Sequence, residues 1–318
     1  MSRRRGRKDG AGPDGLLCID KPAGPTSFGV MRQVQRGVDA RRAGHGGTLD
    51  PAATGVLLVL VGEGTKLSPW VMRWDKTYRA RVRFGVATDT FDAEGTVVAE
   101  QVVPQGLLTR ERLLSVLAGF VGDQLQTPPA YSALKVDGRT LMSRARAGEV
   151  VEPVPRTVHC RAAELLGIDG PDVDVRLDVG KGFYVRSFAR DLGLALGLPA
   201  HLAALCRERV GPFHVARATT PDAVGPGDVI PLAEAVPDVP VRHLDAADAL
   251  AIVQGKRIAA ASADPELMVT DPTGRPLAMV RRTDENTLVI VRGFAPEQPA
   301  PAPTEGADSL IDNGAVAD

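Results

Sequence analysis

The chain has 318 residues, of which 44% are hydrophobic and 24% charged, with three cysteines and a formal net charge of -1. That length suits one large domain with a small one beside it, and no uncharged apolar run of about 18 residues is present to span a bilayer. The composition excludes a disordered chain and a helical membrane protein, and the near-zero net charge taken alone gives no sign of a nucleic-acid partner.

The first residues, MSRRRGRK, are basic but no apolar stretch with a small-residue cleavage site follows, so a secretory signal is not expected and the cytoplasm is the expected address. Residues 1–14 read as a basic, disordered tail. Cys18, Cys160 and Cys206 lie far apart with no CxxC spacing, which predicts reduced thiols and neither a disulfide framework nor a zinc site.

Leu16 to Asp20 is a short apolar run stopped by Lys21-Pro22-Ala23-Gly24-Pro25. It predicts a strand and a turn, with Thr26 or Ser27 placed to cap a helix through Phe28, Met31, Val34 and Val38. A polar, Gly-rich loop then leads into Val56 to Val61, a continuous aliphatic run of the kind that forms a buried strand. From Thr77 to Phe84 the alternation is strict, with Tyr78, Ala80, Val82 and Phe84 on one face and Arg79, Arg81 and Arg83 on the other. Thr109 to Phe120 predicts an amphipathic helix. Gln126 to Pro155, with Pro128-Pro129 and several basic residues, reads as a long projecting segment.

Val173, Val175, Leu177 and Val179 alternate with polar residues as a further strand, which Gly180-Lys181-Gly182 separates from a helix over Ser187 to Leu196. After about residue 240 the texture changes to a short helix near Ala246 to Val253 and three β-branched or aliphatic runs, at Leu267, Leu277 and Leu288. Residues 241–294 therefore read as a small β-rich module, and residues 295–318, Pro-rich and acidic, as a disordered tail. Helices and strands without regular βαβ repetition make the fold class α+β.

The most informative stretch is Gly44-His45-Gly46-Gly47-Thr48-Leu49-Asp50-Pro51. An aspartate on a Gly-rich loop ahead of a buried strand is held by rigid structure yet open to a ligand, and Pro51 restricts Asp50 to extended geometry. By spacing alone the same residues also suit an Asx turn.

His-x-Gly-Thr-Leu-Asp-Pro-x-Ala-x-Gly, here His45 to Gly55, resembles the catalytic motif of the TruB-type tRNA pseudouridine-55 synthase family. Further matches follow in the family's order. They are Ile19-Asp20-Lys21-Pro22, Lys76-Thr77-Tyr78, Thr88-Asp89-Thr90 with Asp92-Ala93-Glu94-Gly95, Pro128 to Lys135, Gly182 to Ser187, and Leu205 to Phe213. The resemblance covers roughly residues 15 to 220. It implies a mixed, largely antiparallel sheet flanked by helices over residues 15–240, an RNA-binding insertion near 126–155, and a PUA-like domain over 241–294.

It further implies an isomerase that flips a uridine of the tRNA T loop out of its stack and remakes its glycosidic bond, with no cofactor and no metal. Asp50 is the implied nucleophile, attacking either the sugar or the base. Arg186 is its implied guanidinium partner, countering the rise in pKa that burial brings. Tyr78 would stack on the flipped base and help remove the C5 proton. His45 would contact the region the nucleotide leaves, and Tyr184 and Leu205 would line the uridine pocket. Lys21 would support the active-site loop.

The chain departs from the family pattern at Arg42, Gly47, Phe183 and Cys206, none of them a proposed catalytic group. The basic N terminus, the arginine-faced strand and the 126–155 segment are expected to contact RNA phosphates, which orient the substrate without reading its sequence. The expected partner is tRNA, at its T loop and acceptor region, with no membrane, and the expected state is a monomer. Two other readings remain at this level. One is an RNA-binding or RNA-folding module with catalysis secondary; the other is a two-carboxylate hydrolase using Asp20 or Asp89 as a second acid.

Overall fold

A computed structural model describes residues 12–129, 135–136, 139–140 and 153–294. The basic N-terminal residues, most of the 126–155 segment and the acidic tail lie outside them.

The chain opens with β1 (Gly15–Lys21), α1 (Ser27–Gly37), β2 (Ala43–His45) and β3 (Thr54–Val61), followed by the short α2 (Ser68–Val71). Thr26, with extended backbone, caps α1 by accepting from Gly29 N at 3.0 Å. Next come β4 (Lys76–Phe84), the hairpin β5 (Val86–Thr88) and β6 (Val97–Glu100), α3 (Arg110–Ala118), and β7 (Gly122–Gln126). A two-residue hairpin, β8 (Lys135–Val136) and β9 (Arg139–Thr140), lies within the insertion. The domain closes with β10 (Arg156–Asp169), β11 (Asp172–Val179), α4 (Val185–Leu196), β12 (Ala200–Val210), β13 (Phe213–His214) and β14 (Ile230–Pro231).

These strands build a ten-stranded sheet in the order β14-β1-β3-β12-β4-β11-β10-β7, with β2 added on β3 and β13 on β12. Every pairing is antiparallel except that of β12 with β3. The fold is α+β, as expected. Because β3 lies inside the sheet and is covered on both faces, its sequence is an unbroken apolar run. Val56, Leu58 and Leu60 pack on one side toward α2 and the C-terminal module, and Leu57, Val59 and Val61 on the other against α1. On β4, Tyr78, Ala80, Val82 and Phe84 face a third cluster with α3 and α4. Helix α4 buries Val185, Phe188, Ala189, Leu192 and Leu196, one stripe at helical spacing, and ends at Gly197 in the left-handed region (φ 72°).

The opposite face of β4 carries the expected arginines, and two of them are paired with carboxylates of β11. Arg81 clamps Asp174 of β11 with bonds of 2.8 and 2.9 Å, and Arg83 clamps Asp172 with bonds of 2.8 and 2.7 Å. Cross-strand register sets Arg81 opposite Asp174 and Arg83 opposite Asp172, so these arginines are matched to carboxylates within the sheet before any phosphate arrives.

The last part of the described chain forms a separate five-stranded sheet, β15 (Val241–His243), β17 (Glu266–Thr270), β18 (Pro276–Arg282), β19 (Thr287–Gly293) and β16 (Ile258–Ala259), with α5 (Ala246–Val253) against it. It docks on α2: Met268 and Met279 share an apolar cluster with Trp70, Val71 and Trp74.

Candidate active site

The loop from Gly46 to Ala53 enters β3 where β3 lies parallel to β12. Three anchors fix it. Ser27 Oγ donates to Leu49 O and accepts from Leu49 N, each at 2.8 Å. The fully buried Lys21 ammonium donates to Pro51 O at 2.9 Å and to Ala53 O at 2.7 Å. The third anchor is Arg207 of β12, 2% exposed, which donates to Val56 O at 2.7 Å, Gly47 O at 3.1 Å and Thr48 O at 3.4 Å. Gly55, at φ 96°, lies so close to Arg207 that a β-carbon would run into its backbone carbonyl.

The anchored loop presents Asp50 to a cleft of ≈ 350 Å³ whose wall includes Tyr78, Tyr184, Arg186, Leu205 and Arg207. Arg186, in the first turn of α4, places Nε 3.1 Å from Asp50 Oδ2, and its NH1 lies 3.3 Å from both Asp92 Oδ2 and Thr90 O. Burial raises the Asp50 pKa above its ordinary value, Arg186 and Lys21 oppose that rise, and Asp92 adds to it. The net direction is upward, so the carboxylate is a stronger base than a solvated one.

The cleft therefore offers a partly desolvated carboxylate on a rigid loop, a guanidinium against it, and aromatic and aliphatic walls wide enough for a flat ring. That arrangement suits a nucleophile and a flipped base. Among the described residues no group of His, Cys, Asp and Glu side chains is placed to hold a metal ion.

The family model for TruB family pseudouridylate synthase (N terminal domain) matches residues 35–185. The tRNA pseudouridine synthase B of Aromatoleum aromaticum is 41% identical over 282 residues, covering 86% of this chain and 91% of that one. The protein of the same name from Thermobifida fusca is 40% identical over 288 residues, covering 87% and 98%. The chain belongs to the TruB family of pseudouridylate synthases. It is accordingly an isomerase.

Among solved structures, an H/ACA ribonucleoprotein bound to a substrate RNA containing 2'-deoxyuridine has a chain that superposes with a TM-score of 0.65 at 23% identity, covering 89% of this chain and 86% of that chain. A chain of the archaeal box H/ACA Nop10-Cbf5 complex gives the same TM-score, 0.65, at 23% identity, with coverage of 89% and 86%. Both likenesses speak for the pseudouridine synthase fold alone.

Of the residues singled out in the sequence, Asp50, Tyr78, Tyr184, Arg186 and Leu205 converge on the TruB-family cleft. His45 is not part of the lining, which begins at the next residue, Gly46, and its Nδ1 is buried and lacks a hydrogen-bond partner. Burial first, and the Arg207 charge second, lower its pKa and favour the neutral ring. Tyr184 is held by Gln126, whose side-chain amide accepts from Tyr184 N at 2.8 Å and donates to Tyr184 O at 3.1 Å. Neither Asp20 nor Asp89 lines the cleft. Asp89 instead caps its own turn by accepting from Thr96 N at 2.8 Å.

Sequence reasoning missed Arg207, Gln126 and the pairing role of Asp92. The one available signal for Arg207 was its place in the matched Leu205 to Phe213 segment. It gave no role to Lys76, quoted only as part of the Lys76-Thr77-Tyr78 match, which lines the cleft with its ammonium donating to Met72 O at 3.1 Å and to Trp74 O. Burial, with the Arg207 charge adding to it, lowers the Lys76 pKa to about 8.

The cysteines are free thiols. Burial pushes the pKa of Cys18 up to about 12 and that of Cys160 to about 11, which makes both poor nucleophiles. Among the described residues no helix is long and apolar enough to cross a membrane.

Proposed function

We propose that this chain converts the T-loop uridine of tRNA, at position 55, to pseudouridine by flipping the base into the cleft and attacking with the Asp50 carboxylate. The observation that carries the reading is the Asp50–Arg186 pair, 3.1 Å apart on the wall of a cleft shared with Tyr78. The tRNA assignment is supported by relatives named tRNA pseudouridine synthase B at 40–41% identity over most of the chain.

In the proposed reaction the uracil ring enters the cleft and stacks on Tyr78. Asp50 attacks the sugar carbon or the base, the N1 glycosidic bond breaks, the ring turns, and a bond forms from C5 to the sugar. The C5 proton leaves, with the Tyr78 hydroxyl assisting, N1 takes up a proton in its place, and Asp50 is released unchanged. Arg186 keeps Asp50 ionised and aimed. His45, a neutral ring with a buried Nδ1 to satisfy, contacts the region the nucleotide vacates, while Tyr184 and Leu205 exclude water from the ring. The reaction is redox-neutral and needs no cofactor.

A hydrolase would require a protonated acid opposite Asp50. The carboxylate of this network beside Arg186, Asp92, accepts from Thr90 Oγ1 at 2.6 Å and Glu94 N at 3.1 Å while binding Arg186, so its oxygens are already engaged by donors and turned to the guanidinium. The C-terminal sheet serves as the PUA-like contact to the acceptor stem. The 40–41% identity to proteins named tRNA pseudouridine synthase B favours a stand-alone enzyme over a subunit of a guided ribonucleoprotein, and the proposed enzyme acts as a cytoplasmic monomer.

The test is tritium release from a tRNA transcript labelled at uridine C5, under single-turnover conditions, with the parent and Asp50→Asn. Release by the parent and none by the variant is expected. Release by both would remove Asp50 as nucleophile. Binding of tRNA without release by either would favour an RNA-folding role.

A further inference from the structure

The turn that carries Asp92 contains a residue with no obvious reason to be there. Phe91 sits in the left-handed region at φ 62°, a conformation a bulky L residue adopts only when its surroundings impose it. Three contacts impose it here. Phe91 N donates to Thr88 O at 3.2 Å, and the Phe91 carbonyl accepts from Leu202 N at 3.0 Å as part of the bridge between Asp92 and Leu202. Leu202 lies at a register break in the pairing of β12 with β4, between Leu202 and Ala204, so the sheet itself releases a donor for the turn. The third contact is the Phe91 ring, which lies 4.8 Å from the Arg190 guanidinium carbon.

Arg190 is one helical turn beyond Arg186 on α4. Two arginines on one helix face thus hold two consecutive residues of the turn: Arg190 the ring of Phe91, and Arg186 the carboxylate of Asp92. The carboxylate has little freedom once the turn is set. Oδ1 accepts from Thr90 Oγ1 and Glu94 N, while the Asp92 carbonyl accepts from Thr88 Oγ1 at 2.6 Å. Oδ2 faces Arg186.

We propose that Phe91 is a positioning residue for the isomerisation: its left-handed backbone and Arg190-held ring present Asp92 to Arg186, and through Arg186 they aim Asp50. A cation–π contact is strongest where water is excluded, and Phe91 is partly buried between the turn and α4. The inference deepens the proposed function and depends on Asp50 and Arg186 acting in it.

The experiment measures single-turnover tritium release and tRNA Kd for the parent, Phe91→Ala, Phe91→Tyr, Asp92→Asn and the double variant Phe91→Ala/Asp92→Asn. Phe91→Ala is expected to slow release about tenfold, a loss typical of a slightly misplaced reacting group, with Kd unchanged. Phe91→Tyr, which keeps the ring, restores the parent rate. In the Asp92→Asn background the alanine change should cost nothing further, because its effect runs through Asp92.

The same tenfold loss in that background would overturn the proposal, as would an effect confined to Kd, which would mean that the ring touches RNA instead. Should Phe91→Ala fail to fold, Arg190→Gln leaves the turn sequence intact and removes the cation. A folded Arg190→Gln protein with the parent rate would then reject the proposal, and one slowed without a change in Kd would support it. The parent's own release tests the reaction, and the ratios test Phe91, so the two failures are separable.

Discussion

The hydroxyl of Ser27 and the backbone of Leu49 bind each other twice, donor to carbonyl and amide to oxygen, both at 2.8 Å. Helix α1 is thereby tied to the residue immediately before Asp50. Its neighbour Thr26 takes the helix cap, which leaves Ser27, 2% exposed, free to act as a cross-link. Ser27→Ala would strand a buried N–H and a buried C=O at once, with an expected loss of about 1–3 kcal/mol in stability. It should also slow single-turnover release by about tenfold or more, since the loop that aims Asp50 is released. Urea unfolding and tritium release measure the two; a variant equal to the parent in both would show that Lys21 and Arg207 hold the loop unaided.

Asp50 itself should cost the fold stability. Its pKa is raised in the folded protein relative to the ordinary value of 3.8, chiefly by burial. A raised folded pKa means that folding favours the protonated form, so the stabilising contribution is complete below the unfolded pKa and is lost as pH rises through the folded one. At neutral pH the ionised carboxylate is therefore a net penalty, and Asp50→Asn should melt higher than the parent. The gap should close as pH falls toward and below 3.8. Melting curves across that range check the sign; a variant that melts lower at neutral pH would mean that Arg186 outweighs burial. The acid limb of the parent's release rate should correspondingly lie above the ordinary carboxylate value.

Arg207 ties the Gly47 and Thr48 carbonyls of the loop to Val56 of β3. Arg207→Met keeps much of the volume but leaves the buried Val56 carbonyl, and the partly exposed carbonyls of Gly47 and Thr48, without this donor. The expected loss is about 1–3 kcal/mol, the usual cost of one unpaired buried polar group. Hydrogen exchange should reveal faster opening of the loop and of the start of β3. Unchanged exchange there would show that water replaces the guanidinium.

The sequence made some of this legible and hid the rest for definable reasons. β3 was visible because burial on both faces demands an unbroken aliphatic run, and β4 because burial on one face demands alternation. β12 and β10 were not visible. Each has two register breaks, at Leu202/Ala204 and Arg207/Arg209 in β12 and at Cys160/Ala162 and Leu165/Gly167 in β10. A break shifts the alternation by a residue, so the periodic signal cancels over the strand. Arg207 was hidden for a related reason. A charged residue in a Leu-Cys-Arg-Glu-Arg string reads as surface, and only the folded arrangement brings three carbonyls around it. Asp50, Tyr78 and Arg186 were legible through ordered motifs rather than through periodicity, and the structure brings these residues to one cleft.

Besides a hydrogen bond from Lys66 Nζ to Gly293 O at 2.6 Å, one carboxylate joins the first sheet's side to the C-terminal sheet. Glu266 of β17 accepts from Trp70 Nε1 at 3.0 Å and Arg73 NH1 at 2.8 Å on the catalytic side, and from Arg281 NH2 at 3.0 Å within its own sheet. Those hydrogen bonds lower its pKa against the opposing effect of burial, so the carboxylate is ionised and paired at neutral pH. Glu266→Ala strands the Trp70 indole N–H and leaves Arg73 and Arg281 facing each other without a counter-ion. The apolar contact of Met268 and Met279 with Trp70 and Trp74 remains, so docking should loosen without being abolished. The expected outcome is a loss of about 1–3 kcal/mol at this contact, read as a separate early step in thermal unfolding. If the C-terminal sheet contacts the acceptor stem, tRNA Kd should weaken several-fold, while the single-turnover rate at saturating enzyme stays at the parent value, because Asp50 and its anchors are untouched. A fall in that rate with unchanged Kd would instead mean that the docking contact acts through α2 on Met72, which lines the cleft.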